Sequence, residues 1–233
     1  MALDGSAITD FKNFMEKEIT PAANEIASLE DKSRKHIQKL VYTNLVDRFD
    51  TMVDRSILEN CRNEGFADVA LKNATAAVSE ADLYRLLMKS DELQSILTER
   101  LQDGLRNTVL RTRHSLKLRQ LIEVLIPNAD AHNAKPRVNI SNGKIVVQFK
   151  QQNKKIPHSI VGYADWLYSR RNSIVHGAGT NKFLINDKRQ IKKLWKIETT
   201  QTFKISVGSI NTAIAFYTDV VSLLESQTTN SRA

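Results

Sequence analysis

Only four prolines and eight glycines interrupt these 233 residues, and this scarcity of chain breakers constrains the fold more than any other feature. A sandwich or barrel of short strands turns about every ten residues and places Gly and Pro at those turns. A long flexible linker is rich in the same residues. Both are excluded, leaving one large domain or two small ones with a sizeable core. The apolar pattern agrees. Phe11, Phe14, Met15 and Ile19 recur at helical spacing, as do Ile37, Leu40, Val41, Leu45, Phe49, Val53, Ile57 and Leu58. Pro21 and the Ser28–Ser33 stretch are the expected breaks.

Residues 63–79 are weakly patterned and read as loop or short helix. Ser79 with Asp82 three residues on marks a helix start. Leucines from Leu93 to Leu125 predict one long helix, opened by Asp91 and stopped at Pro127. On that helix Arg106, Arg113 and Lys117 fall at i, i+7 and i+11, hence on one face. A solvated charged face is the plain alternative. Asn142-Gly143 between the β-prone arms of 137–149 predicts a hairpin, inserted at about 136–150 and running into Lys154 and Lys155. Helix resumes over Ile160–His176, with Gly177 as a stop. Residues 180–204 read as basic and irregular, and a last helix runs from about Ser209 to a polar tail, frayed at about 228–233. The expected product is a single, mainly α domain over 1–233 with one β-hairpin insert.

Charge is unevenly placed. Residues 1–103 hold 13 Lys+Arg against 19 Asp+Glu, whereas 104–233 hold 21 against 7. A strongly basic half joined to an acidic one points to a polyanion partner, nucleic acid first, with partner docking as the alternative. The lone Cys61 excludes an internal disulfide and a Cys-rich zinc site. No two of the five histidines lie three to five residues apart, so no local metal pair exists and no metal or other cofactor is expected. Neither a Gly-rich dinucleotide loop nor a P-loop is present. No unbroken apolar run reaches the roughly 18 residues of a membrane span, and the start of the chain lacks a basic and apolar leader. A soluble, cytoplasmic protein is expected.

Residues 165–179, DWLYSRRNSIVHGAG, carry the chemistry. At about 100° per residue, Asp165, Ser169, Asn172 and His176 form one polar stripe and Ile160, Leu167 and Ile174 an apolar one. Arg171 falls on the edge of the apolar face, where a guanidinium is costly unless a carboxylate, a phosphate or a partner chain satisfies it. His176 occupies the last turn, where the helix dipole favours imidazolium and an imidazole passes protons near neutral pH. An Arg that grips phosphate and a His that moves protons suffice to cleave RNA without a metal, because RNA supplies the 2′-OH nucleophile. A C-terminal capping role for His176 is the structural alternative. Tyr163, Trp166 and Tyr168 can stack on bases or fill the core.

The string Arg171-Asn172-Ser173-Ile174-Val175-His176-Gly177 resembles the Arg-x4–6-His motif of the HEPN superfamily in its RNxxxHG form, and is most similar to the RiboL-PSP-like subgroup. The likeness spans most of 31–227, with the specific part confined to about seven residues. It implies an up-and-down helical bundle with the motif on a late helix. It also implies a metal-independent endoribonuclease, a homodimer whose two motif helices meet, and cleavage leaving a 2′,3′-cyclic phosphate. Toxins and anti-phage effectors acting on tRNA or other RNA are common in the family, so an antitoxin or defence-system partner is implied. Arg171 would bind the scissile phosphate, His176 transfer protons and Asn172 orient the site. Asp165 and Ser169 would support them, with Arg170 as a rival phosphate contact. Arg106, Arg113, Lys117, Lys154, Lys155, Lys192 and Lys193 would hold the RNA backbone. Ala178 stands where HEPN toxins paired with a nucleotidyltransferase have Tyr, so that pairing is not implied. A non-catalytic RNA- or partner-binding helical module is the competing expectation.

Overall fold

The computed structural model describes residues 4–72, 79–88, 90–126, 137–146, 159–176, 181–198 and 205–230. Helix α1 (Ser6–Phe14) passes through a π-turn, Met15–Ile19, into α2 (Thr20–Glu25). Pro21 sits in the first turn of α2, where its missing N–H leaves no orphan. The long α3 (Asp31–Glu59) follows, then α4 (Glu64–Leu71), α5 (Glu80–Met88) and α6 (Ser90–Asn107). The Asp82 N–H donates to Ser79 Oγ at 3.1 Å, the expected start of α5. Helices α7 (His114–Leu125), α8 (Ile160–His176), α9 (Asn181–Trp195) and α10 (Val207–Asn230) complete the described elements.

The core lies around α3, which is flanked by α1, α7, α8 and α10. Phe49 stacks on Tyr217 of α10 with centroids 4.1 Å apart, and Phe11 meets Phe49 edge-on at 5.5 Å. The Tyr42 hydroxyl donates to the Leu167 carbonyl at 3.1 Å, a buried bond pinning α8 to α3. Cys61 is buried, which pushes its thiol up and away from reactivity. Helix α10 is long and apolar enough over Val207–Ser226 to cross a membrane; here Ile210, Phe216, Tyr217, Val220 and Leu224 fill the core.

Three expectations are corrected. The helix expected over 91–125 is two helices, because Thr108 (φ −113°, ψ −82°) and Thr112 (φ −81°, ψ 174°) leave the helical region on either side of a 3₁₀ turn, Val109–Arg111. The two threonine hydroxyls bond the Gly104 and Val109 carbonyls at 2.7 and 2.6 Å alongside the backbone N–H groups that reach the same oxygens. Arg106, on α6, therefore shares no helix face with Lys117 of α7, whereas Arg113 is the residue that precedes α7 and its carbonyl accepts the Lys117 N–H. Residues 181–195, read as irregular, form α9, burying Leu194 and Asp187 beneath a charged exterior. The last helix runs to Asn230.

The β-hairpin does not form either; the described residues contain no strand. Around Asn142-Gly143 a turn does close: Asn139 N–H donates to Lys144 O at 2.9 Å, and Val138 and Ile145 make a single antiparallel bridge. On the other side of that bridge Val146 N–H donates to Arg137 O at 2.6 Å, and among the described residues the pairing amounts to this one bridge, too little for a strand. The Ile145 N–H donates to Asp219 Oδ2 at 2.8 Å, so the segment is docked on the bundle. Residues 147–150 of the expected second arm, with Lys154 and Lys155, lie outside the described residues.

Gly143 has φ +77°, and a Cβ there would lie 2.1 Å from the Thr212 carbonyl oxygen. Gly143→Ala combines left-handed strain with a backbone collision and is expected to cost about 1–3 kcal/mol, read as a lower urea midpoint.

Candidate functional site

The apolar stripe of α8 behaves as its spacing requires. Ile160, Ala164 and Leu167 are buried, and Ile174 packs against the core. Tyr163 and Trp166 are buried too, with Trp166 edge-on to Trp195 at 4.5 Å, so both are core residues. The opposite face borders a cavity of about 790 Å³ between the 3₁₀ turn, the start of α7, α8 and α9.

Three members of the polar stripe, Asp165, Ser169 and Asn172, line that cavity. Two of them also join α8 to α9. Gln190 Nε2 donates to Asp165 Oδ2 at 2.8 Å, and Asn186 Nδ2 to Ser169 Oγ at 2.9 Å. His176 is exposed at the end of α8, its ring centroid 5.1 Å from that of Phe183, a cavity residue.

Arg171 turns away from the cavity. Its Nη2 donates to Asp47 Oδ2 at 2.9 Å and its Nη1 to Asn172 Oδ1 at 3.0 Å; Nε lies 2.6 Å from Asp47 Oδ1 as an ionic contact outside hydrogen-bond alignment. The carboxylate that its half-apolar position demanded is thus on α3, 124 residues earlier. Two of the five N–H bonds of the guanidinium make hydrogen bonds, one from Nη1 and one from Nη2, and each of these nitrogens keeps a second N–H.

Arg170 lies beneath, its guanidinium 5.2 Å from the centre of the Trp166 ring, and burial pulls its pKa down. It interacts electrostatically with Asp187, which is wholly buried and, among the described residues, has no hydrogen-bond partner on either carboxylate oxygen. Burial pushes the Asp187 carboxyl up to about 6, against the pull of Arg170. An unfolded Asp titrates near ~3.9. The folded chain therefore holds the extra proton between about pH 4 and pH 6, and stability falls as pH rises through that window. Asp187→Asn is expected to flatten this slope, seen as a smaller difference between urea midpoints at about pH 4 and about pH 7.

Behind the cavity lies an ionic cluster that sequence spacing did not reveal. His114 Nδ1 is 2.7 Å from Asp50 Oδ1, and the ring stacks on Tyr168 at 4.7 Å and 4°. Lys117 Nζ lies 2.8 Å from Asp50 Oδ1 and 2.6 Å from Asp54 Oδ1. Burial alone would raise the Asp50 carboxyl, but hydrogen bonds to His114 and Lys117 outweigh it and hold the group below its usual range. At Asp54 burial prevails over Lys117 and the carboxyl is raised. Lys117 is raised, its two carboxylates outweighing its own desolvation.

The other expected RNA contacts are dispersed. Arg106 pairs with Asp103 at 2.7 Å, and Lys192 with Glu198. Lys193 is exposed. Lys117 has a side chain only 6% exposed and is committed to its carboxylates. Arg113 reaches the cavity, joined there by Arg189 of the basic 188–196 stretch and by Lys182, which the sequence did not single out. Among the described residues no group of three or more His, Cys, Asp or Glu is placed to hold a metal.

No family model, curated protein or solved structure matches this chain. Its functional reading rests on the geometry above and on the motif in its sequence.

Proposed function

We propose that the chain is a metal-independent endoribonuclease of the HEPN kind, working as a homodimer in the cytoplasm. The observation that carries this reading is the stripe Asp165–Ser169–Asn172–His176, which runs beside a 790 Å³ cavity whose lining includes Arg113, Lys117, Lys182 and Arg189. The ribose 2′-OH gives up its proton to a base and attacks phosphorus. The bond to the 5′-oxygen breaks, and that oxygen takes up a proton. His176 serves in proton transfer, and the second copy's motif helix supplies the opposite acid or base. Arg171, aligned by Asp47 and Asn172, turns its remaining N–H groups toward the phosphorane oxygens. Such an enzyme fits a toxin or anti-phage effector acting on tRNA or other RNA, held in check by an antitoxin or a defence-system partner.

One observation favours a non-catalytic RNA- or partner-binding module instead. Arg171 and His176 are five residues apart, hence about 140° around α8, and Arg171 is already neutralised within its own chain. Incubating purified protein with total tRNA and a single-stranded RNA in EDTA separates the two. Cleavage leaving cyclic-phosphate ends supports the enzyme; binding with intact RNA supports the module.

A further inference from the structure

Helix α9 presents an outer face that strand cleavage does not use. Within Asn181–Trp195 the basic residues are Lys182, Lys188, Arg189, Lys192 and Lys193, and the one acid, Asp187, is wholly buried. At helical spacing Lys182, Ile185, Arg189, Lys192 and Lys193 fall within an arc of about 100°, and all five are exposed. The chain then doubles back along this stripe, for Lys196 takes φ +58° and Glu198 pairs with Lys192. That return keeps Lys196 and Ile197 beside the stripe, both exposed. Lys182, Arg189, Lys193 and Lys196 make no ion pair among the described residues. Arg113, exposed as well, carries the positive charge across the cavity that Lys182 and Arg189 also line. The carboxylates within this set are Glu198, paired with Lys192, and Asp165 of the cavity lining, half-buried and accepting from Gln190 Nε2 at 2.8 Å. Interleaved with the cations are two large aliphatic side chains, Ile185 at 53% and Ile197 at 55% exposure.

We propose that this face of α9 docks on an anionic lipid bilayer, its lysines and arginines meeting lipid headgroups while Ile185 and Ile197 enter the boundary between headgroups and acyl chains. Clusters of roughly four to eight cations on an amphipathic helix are drawn to anionic leaflets. The isoleucines favour a bilayer over other polyanions. Aliphatic groups gain by leaving water at a bilayer interface, and a phosphodiester backbone offers them no apolar surface. Recognition of single-stranded RNA draws on aromatic rings and amides, and the stripe itself carries neither. The acidic half of a second copy mixes 13 Lys+Arg among its 19 Asp+Glu. An anionic leaflet presents one sign of charge along the whole helix, about 22 Å. The inner side of α9, with Leu194 and Asp187, stays in the core, so docking requires no unfolding. The surface takes no part in cleavage and stands or falls separately from the ribonuclease reading.

The test uses the His176→Ala chain, so that RNA is not consumed. It is sedimented at about 0.15 M salt with vesicles of phosphatidylcholine, alone or mixed with an equal part of phosphatidylglycerol, and a labelled single-stranded RNA is titrated in parallel. The chain is expected to sediment with the anionic vesicles and to stay in solution with the neutral ones. Lys182→Glu/Arg189→Glu/Lys193→Glu is expected to weaken vesicle binding about a hundredfold or more, each cation at an anionic surface contributing roughly fivefold. Ile185→Ser/Ile197→Ser is expected to weaken it about tenfold and to leave RNA binding unchanged. Both variants alter exposed positions, and their melting temperatures check the fold. Equal sedimentation with neutral vesicles overturns the proposal, as does full vesicle binding by the serine variant, which marks bare charge attraction. Failure to sediment with anionic vesicles also overturns it. The stripe then belongs to RNA if the glutamate variant loses RNA binding, and to a second copy if that variant loses self-association without vesicles.

Discussion

Replacing His176 by alanine is expected to abolish RNA cleavage while leaving the melting temperature of the chain close to that of the parent. Proton transfer by a positioned imidazole contributes about 10²–10⁴ in rate, so a residual activity of about one per cent or less is the result that fits the proposed enzyme. The residue is exposed at the end of α8 and contributes little to the core, which makes fold loss a poor explanation for lost activity. Arg171→Ala should lower cleavage comparably but is a less clean variant, because it also releases Asp47. That pair is partly exposed, at 20% and 43% of its side chains, so its removal is expected to cost about 1 kcal/mol or less. Arg171→Lys keeps the charge and loses the two-pronged grip on Asp47, and should recover stability without recovering turnover. Full cleavage by the His176→Ala protein would remove the HEPN reading altogether.

The largest stability effect is expected at Lys117. Lys117→Met leaves Asp50 and Asp54 facing each other without their shared cation, and breaking a buried pair in this way costs about 3–5 kcal/mol. The two carboxylates retain 22% and 33% side-chain exposure, so water screens part of the loss and about 2–4 kcal/mol is the expected range. Urea unfolding at neutral pH measures it. Acidification should narrow the deficit, since protonating Asp54, whose carboxyl is already raised, removes the repulsion. Asp54→Asn placed on the Lys117→Met background should restore part of the lost stability for the same reason. A Lys117→Met protein as stable as the parent would show that the cluster contributes nothing to the fold.

How far the sequence disclosed this molecule varies by element. Boundaries written in local chemistry were legible: the Ser79–Asp82 cap, the helix from Ile160 to His176, and the turn at Asn142-Gly143. The break between α6 and α7 was not, since no Gly or Pro marks residues 108–113 and the leucine pattern reads straight through. It lies in the backbone angles of Thr108 and Thr112, which no breaker residue announces. The pairing expected around Gly143 is a single bridge among the described residues, and the docking of that turn on α10 through Asp219 and the Ile145 N–H is a tertiary contact that spacing does not disclose. At the candidate site, the need of Arg171 for a counter-ion followed from its place on α8, but the identity of that counter-ion did not. Lys117 shows the converse. In a one-dimensional reading it belongs to a basic face; in the fold it is the most enclosed cation of that set. Arg189 was legible only as one of the basic residues of 188–196 and Lys182 not at all, because their segment looked irregular; the helical turn of α9 brings the two to one cavity.

The acidic positions of α3 give this arrangement a property of its own. Asp47, Asp50 and Asp54 follow one another at intervals of three and four, like teeth on a comb. The first tooth engages α8 through Arg171, and the other two engage α7 through His114 and Lys117. Two walls of the cavity are thereby indexed to a third helix that is not part of its lining. A slip of α3 along its axis would misalign both walls together, so the shape of the recess is inherited from a neighbour that never touches what the recess holds.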